Sequence, residues 1–300
     1  MGLFRGAESG GFASIELSDQ IMMNLKFWLD WSLLHVGAFD KYDVPASGAA
    51  HDIDGSTLTY MMDEYFNEGR VWCGPGGGWV FESGVAVSDP PEAVSGVYVD
   101  NVWLPIGTSG IHGYHVDYLA GRVIFDYPHP TGTTVSVPHS RRRVYVASAD
   151  NPDFMRLLER TLEAPVESTI LSRQAVMPAI FIDDRTGVQR GLMLGGGQTK
   201  TRTILFHIFA NTPSDRNLLR DWVDKQTRQC FVGVDFNAIG ELFDTYGDVS
   251  IGGNYDSWRQ EFPWRKLRFV NGRSSKIDSV NPTIFRGRVD VDIEVDIGAI

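Results

Sequence analysis

The stretch RVDVDIEVDIGAI, residues 288–300, alternates acid with aliphatic: Asp290, Asp292, Glu294 and Asp296 fall on one parity, Val289, Val291, Ile293 and Val295 on the other. A period of two is that of a strand, whose successive side chains point to opposite faces of a sheet. The four acids therefore share a face. Read backwards, the same parity puts Arg288 and Arg286 with the acids and Gly287 and Phe285 with the aliphatics, so a strand is expected from about Ile284 to Ile297. At ~3.3 Å per residue it would run about 46 Å. Few strands are that long, and this one is expected to bend at Gly287 or to project beyond one small sheet.

Neighbouring carboxylates on such a face stand ~7 Å apart, which by Coulomb's law costs about 0.6 kcal/mol per adjacent pair in water. Either the face stays wet or something offsets the charge. In WRKLRFV, residues 264–270, Trp264, Lys266, Arg268 and Val270 share a face, so a neighbouring strand could supply two cations to the ladder. Two other readings stand beside that one. Part of the ladder could line a hydrated channel in a ring of subunits, where its charge repels a passing polyanion, or it could hold a divalent cation.

Composition sets outer bounds. With 300 residues, 43% hydrophobic and 22% charged, the chain is globular in kind and has room for one large or two modest domains. The net charge of -11 is uneven: residues 1–150 hold 8 Lys+Arg against 18 Asp+Glu, and residues 151–300 hold 19 against 20. That balance argues against phosphate-backbone binding, which draws on Lys and Arg. Arg141, Arg142 and Arg143 are the one basic cluster and read as a solvated or intersubunit patch. Cys73 and Cys230 are too few for a disulfide framework and lack metal-ligand spacing, so both are expected to be reduced. MGLFRG is neither a secretory leader nor a myristoylation signal. Lys26, Asp30 and His35 interrupt the most apolar stretch, so no membrane span is expected.

Along the chain, Ser18 to Gly37 reads as a helix with a polar cap at Ser18 or Asp19 and a glycine stop. It is apolar almost all round, and such a helix is buried on several sides. It is either core or, through Trp28, Trp31 and Leu34, a contact between copies. Residues 70–147 turn to short alternating runs rich in Val, Tyr, Trp, Gly and Pro. A strand-turn-strand is expected around Asp100-Asn101, and another joins Tyr114–Tyr118 to Arg122–Tyr127 through Ala120-Gly121. Asn151-Pro152 opens a helix that ends near Pro165. Runs at 175–182, 188–194 and 203–210 read as an antiparallel meander with a polar turn at Asp183–Gly187. Thr212 to Asp215 caps another helix, and residues 236–262 read as a long loop. The expected fold is thus α+β and β-rich. An N-terminal helix and hairpin-rich β module occupy residues 1–149, and an antiparallel meander domain flanked by two helices occupies 150–300.

Motifs for bond-making chemistry are not met. GGGQTKT (195–201) lacks the Gly before Lys that a phosphate loop needs, and GPGGGW (74–79) lacks the sixth-position Gly of a dinucleotide fingerprint. His112, His115 and Asp117 do not share a strand face as metal ligands would. HDIDG (51–55) lacks the calcium-loop register. His207, in an apolar strand, reads as a hydrogen-bonded core residue. No catalytic, cofactor or metal residues are assigned, and no enzyme activity is expected.

The text GVYVDNVWLPIGTSGIHGYHVDYLAGRVIFDYP (96–128) resembles a β module of tailed-bacteriophage virion proteins. The order TILFHIFA, then TPSDRNLLRDWVDKQTR, then late long strands resembles the tail-terminator and neck proteins of such phages. The resemblance implies a structural ring at the head-to-tail connection, assembled in the host cytoplasm. Its copies would form a homo-oligomeric ring, expected to be a hexamer, that joins adjoining neck or tail proteins and lets DNA pass. In that picture Arg286, Arg288, Asp290, Asp292, Glu294 and Asp296 form a channel-lining or inter-subunit strand. Two alternatives are kept: a virion carbohydrate-binding, host-recognition or baseplate protein using Trp72, Trp79 and Trp103, and a hydrolase with an unrecognised site.

Overall fold

The computed structural model describes residues 17–43, 56–63, 65–162, 177–191, 198–226, 229–239, 253–277, 279 and 281–297. The fold is α+β and β-rich, with an N-terminal helix. The chain divides into two compact units; among the described residues the first takes 31–143 and 253–254, the second 17–30, 144–239 and 255–297. Helix α1 (Leu17–His35) spans the division. It stops where the sequence predicts: Gly37 has φ 77°, and the N–H groups of Gly37 and Ala38 return to the carbonyls of Leu34 and Leu33. Glycine suits that left-handed position because it carries no Cβ.

The first unit contains β1 (Phe39–Tyr42), β2 (Thr59–Met61), β3 (Val71–Cys73), β4 (Gly96–Val99), β5 (Val102–Pro105), β6 (Tyr114–Asp117), β7 (Arg122–Phe125), β8 (Val135–Ser136) and β9 (His139–Arg142). They form sheets ordered β2-β3-β7-β6, β5-β4-β8 and β1-β9. Both expected hairpins are present. Asp100 and Asn101 have φ of 49° and 67°, the double left-handed turn that matches strand twist in two-residue hairpins. Leu58, Trp72, Trp79, Val97, Val123, Phe125 and Val135 belong to the core. GPGGGW does packing work, because a Cβ on Gly77 would sit 2.4 Å from the Leu119 carbonyl and one on Gly121 2.3 Å from that of Gly76. Backbone meets backbone there. The three arginines also part company: Arg142 is held by the Trp79 carbonyl at 2.6 Å and by Glu82, Arg143 by Asp40, and Arg141 lies against Gly76.

The second unit contains β10 (Tyr145–Ser148), α2 (Pro152–Leu162), β11 (Ala179–Gly191), β12 (Gln198–Ala210), α3 (Pro213–Gln226), β13 (Cys230–Val234), α4 (Tyr255–Glu261), β14 (Pro263–Ile277) and β15 (Phe285–Ile297). Six strands form one sheet in the order β10-β11-β12-β15-β14-β13, antiparallel except for β10 with β11. Val289, Val291, Ile293 and Val295 are buried on one face with Ile204, Phe206 and Ile208 of β12 and Leu267 and Phe269 of β14. Burying four such aliphatics contributes roughly 6–12 kcal/mol before entropy is set against it.

Helices cover that face. Trp28 of α1 stacks on Phe231 at 4.7 Å and meets Phe269 at 5.3 Å. Helix α3 crosses β15 where Gly287 leaves room: a Cβ there would lie 3.3 Å from Cγ of Arg216. Its start is fixed by a reciprocal cap, with the Asp215 N–H on the Thr212 hydroxyl and that hydroxyl on the Asp215 carboxylate. Helix α2, capped by Asn151 through the Asp153 N–H at 2.9 Å, packs Phe154 and Leu157 on Phe181 and Phe209 of the other face.

Four expectations change. Strand β15 does not project, because β12 and β14 are at least as long as its own 13 residues (13 and 15) and pair along both of its edges. It therefore has no free edge for a neighbouring sheet. Trp28, Trp31 and Leu34 are buried in their own chain, so they are not surface offered to another copy. The polar cluster Asp183–Gly187 does not turn the chain: β11 runs through it with a bulge between Asp184 and Gly187, so the first two runs of the expected meander are one strand. Residues 255–261 form α4 rather than loop. HDIDG and the glycines at 195–197 lie outside the described residues.

Candidate functional site

The polar parity of β15 defines the second face of the six-stranded sheet. Antiparallel register places Thr199, Thr201, Thr203, Leu205, His207 and Phe209 of β12 opposite Asp296, Glu294, Asp292, Asp290, Arg288 and Arg286 in turn. On the far side β14 presents Arg268, Val270, Arg273, Ser275 and Ile277 to Glu294, Asp292, Asp290, Arg288 and Arg286. The face therefore has two ends of different chemistry. Its Thr-acid end is wet, with Glu294 and Asp296 side chains 31% and 51% exposed. Its His-Arg end adjoins α2, where the ring of Phe154 lies 5.0 Å from that of His207.

At the wet end the ladder's repulsion is offset locally. Arg268 stands between Glu294 (3.4 Å) and Asp296 (3.6 Å), as expected of the cross-strand partner. Lys266 makes no ion pair with the ladder among the described residues. Asp292 accepts from the Thr203 hydroxyl at 2.7 Å and the Asn271 amide at 3.3 Å, and Asp296 from the Thr199 hydroxyl at 3.3 Å. The threonines are a part of the face not singled out from sequence, although their period-two spacing in QTKTRT carried the signal. Asp290 is clasped by Arg288, Nε to Oδ1 at 2.6 Å and Nη2 to Oδ2 at 2.7 Å. Among the described residues no group of three His, Cys, Asp or Glu side chains could hold a metal ion.

At the other end His207 is buried, with Nδ1 3.3 Å from Nη2 of Arg286 and Nε2 3.6 Å from the Asp183 carboxylate. Burial first, then the positive charge of Arg286, push its pKa down to about 4. The ring is thus neutral near pH 7, with Nδ1 accepting and the proton on Nε2. Arg286 lies over the Phe209 ring at 5.6 Å, and burial and the like charge of Arg288 lower its pKa.

The tryptophans weighed as a glycan surface are not together on one. Trp72 and Trp79 are core residues, whereas Trp103 is 38% exposed and meets the Tyr98 ring at 4.7 Å, tilted by 54°. No helix of the described residues is long and apolar enough to cross a membrane. A scan against protein-family models finds none that matches the chain, and a search of curated proteins returns no match.

Proposed function

We propose that the protein is a structural ring component of the head-to-tail neck of a tailed-phage virion, of the tail-terminator or connector type, which joins stacked rings and allows DNA to pass. The observation that carries this reading is the wet Thr-acid end of the sheet's second face, where Thr199, Thr201 and Thr203 stand in register with Asp296, Glu294 and Asp292 so that hydroxyls and carboxylates form rows. A phosphate backbone moving past such a wall meets repulsion and hydration rather than a series of arginine forks, so it is guided without being held. The acid half of strand β15 would line the passage from within its own sheet. Contact between copies falls to other surface, such as Val102 (61% exposed) and Ile106 (52%) on the β4–β5 hairpin. A ring of this kind closes through heterologous contacts.

Sedimentation of the purified chain across concentration, together with duplex-DNA retention at stated salt, tests the reading. A closed oligomer that leaves DNA free is expected. The variant D292K/E294K/D296K is expected to assemble equally and to retain DNA in a salt-dependent way. A chain that stays monomeric at every concentration, or a wild-type oligomer that holds DNA as tightly as the variant, overturns it.

A further inference from the structure

Arg286 is unlike the other arginines on its face. Arg288 is chelated by Asp290, and Arg268 lies between Glu294 and Asp296, but Arg286 meets no carboxylate among the described residues. Among the described residues its one side-chain polar contact is Nη2 on the neutral His207 ring at 3.3 Å, and its Nε, closed to solvent, has no hydrogen-bond partner there. The charge that acts on it has its own sign, from Arg288. A half-buried guanidinium whose charge no described carboxylate offsets is costly to keep, because desolvation is then not repaid by an opposite charge. The surroundings specify what would offset it. One side of the group lies on the Phe209 ring, and Ile277 stands opposite it in register on β14. The acids of the neighbourhood are engaged, Asp290 with Arg288 and Asp183 with Arg185 at 2.9 Å. They would repel a doubly charged phosphate more than a singly charged group.

We propose that Arg286, framed by His207, Phe209 and Ile277, is the binding point for one carboxylate carried on a carbon stem, from a small organic acid or from an acidic side chain of a partner protein. The carboxylate would lie end-on across Nη1 and the free Nη2 proton, a planar pair that guanidinium matches and ammonium does not. His207 is a positioning residue: by accepting one Nη2 proton it fixes the direction in which the rest of the fork points. This site is independent of the channel reading, because it lies at the opposite end of the face.

The test is a titration of the 15N-labelled full chain at constant ionic strength, following the backbone amides of His207 and Gly287, which wild type and variants share, with the Arg286 Nε–H signal as a further reporter in wild type. Acetate represents a small acid, a capped glutamyl peptide represents a protein side chain, and inorganic phosphate is the contrasting anion. A saturable shift with acetate or the peptide is expected, absent in R286Q and weakened about tenfold in R286K. A peptide that binds at least about tenfold tighter than acetate assigns the site to a protein partner; equal affinity assigns it to small acids. As a check that needs no variant, acetate is expected to slow phenylglyoxal modification of Arg286, read by peptide mass mapping. No saturable shift with either carboxylate, a shift that persists in R286Q, phosphate binding as tightly as acetate, or no protection of Arg286 each overturns the proposal.

Discussion

Substituting Asn24 tests how the second unit holds its sheet edge. This side chain is 0% exposed in the middle of α1. Its amide donates to the carbonyls of Gln20 at 2.8 Å and Val234 at 3.0 Å, while its oxygen accepts from the Val234 N–H at 2.6 Å and the Tyr255 hydroxyl at 2.9 Å. Val234 needs this help because its cross-strand partner is Pro263, which has no N–H to offer. Asn24→Ala leaves three buried groups without partners: the Val234 N–H, the Val234 carbonyl and the Tyr255 hydroxyl. Each costs roughly 1–3 kcal/mol, and water entering the vacated space trims the total to about 3–6 kcal/mol. Tyr255→Phe removes a single donor and leaves the Val234 pair intact, at about 0.5–1.5 kcal/mol. Native-state hydrogen exchange suits a chain of two units, since one global midpoint is ill-defined there. The most protected amides of β12 and β15 report the second unit, and the Val234 amide reports the edge. If Asn24→Ala costs no more than Tyr255→Phe, or leaves the Val234 amide as protected as before, the edge is held by something other than Asn24.

Two further outcomes are expected. Burial lowers the pKa of His207, and that of His139 in the first unit, from the ordinary 6.5 to about 4. Between those values the unfolded chain binds a proton that the folded one refuses. Stability is therefore full above pH 6.5 and is lost as pH falls toward 4, by up to about 3 kcal/mol for each histidine. Urea midpoints from pH 7.5 to 4 for wild type and His207→Gln check this, the variant losing less in the second unit; parallel curves would refute it. Gly121→Ala adds a Cβ at φ 69°, 2.3 Å from the Gly76 carbonyl. It is expected to destabilise the first unit by about 2–4 kcal/mol through strain and overpacking, seen as a lowered thermal transition.

The elements that the sequence announces are those whose neighbours in space are also neighbours in the chain. Thr212-Pro213 and Asn151-Pro152 cap their helices locally, and Asp100-Asn101 closes its hairpin locally, so capping and turn chemistry suffice. The β15 alternation likewise reports two faces of unlike polarity. It says nothing of which strands flank it, because β12 and β14 arrive from distant sequence. Asp183–Gly187 has a turn's composition, yet the pairing of β11 with β12 on both sides of it turns the cluster into a bulge. Helix α1 hides its logic in the same way. Asn24 and Gln20 look like interruptions of an apolar surface, but Asn24 binds Val234 and Gln20 binds Asp235 and the Phe236 N–H. At the candidate site the ladder and its cation Arg268 were legible. The isolation of Arg286 was not, since a missing counter-charge is visible only when every neighbour has been placed.

The span between Asn24 and Val234, 210 residues, carries a consequence for biosynthesis. At roughly 5–20 residues per second, a ribosome delivers α1 about 10–40 s before the strand that receives it. Through that interval Trp28 has no β13 or β14 to cover it, while the residues of the first unit emerge and can fold in between. The nascent chain therefore carries an uncovered oily helix for most of its translation. It is during this wait, rather than after release, that chaperones would find their best handhold on it.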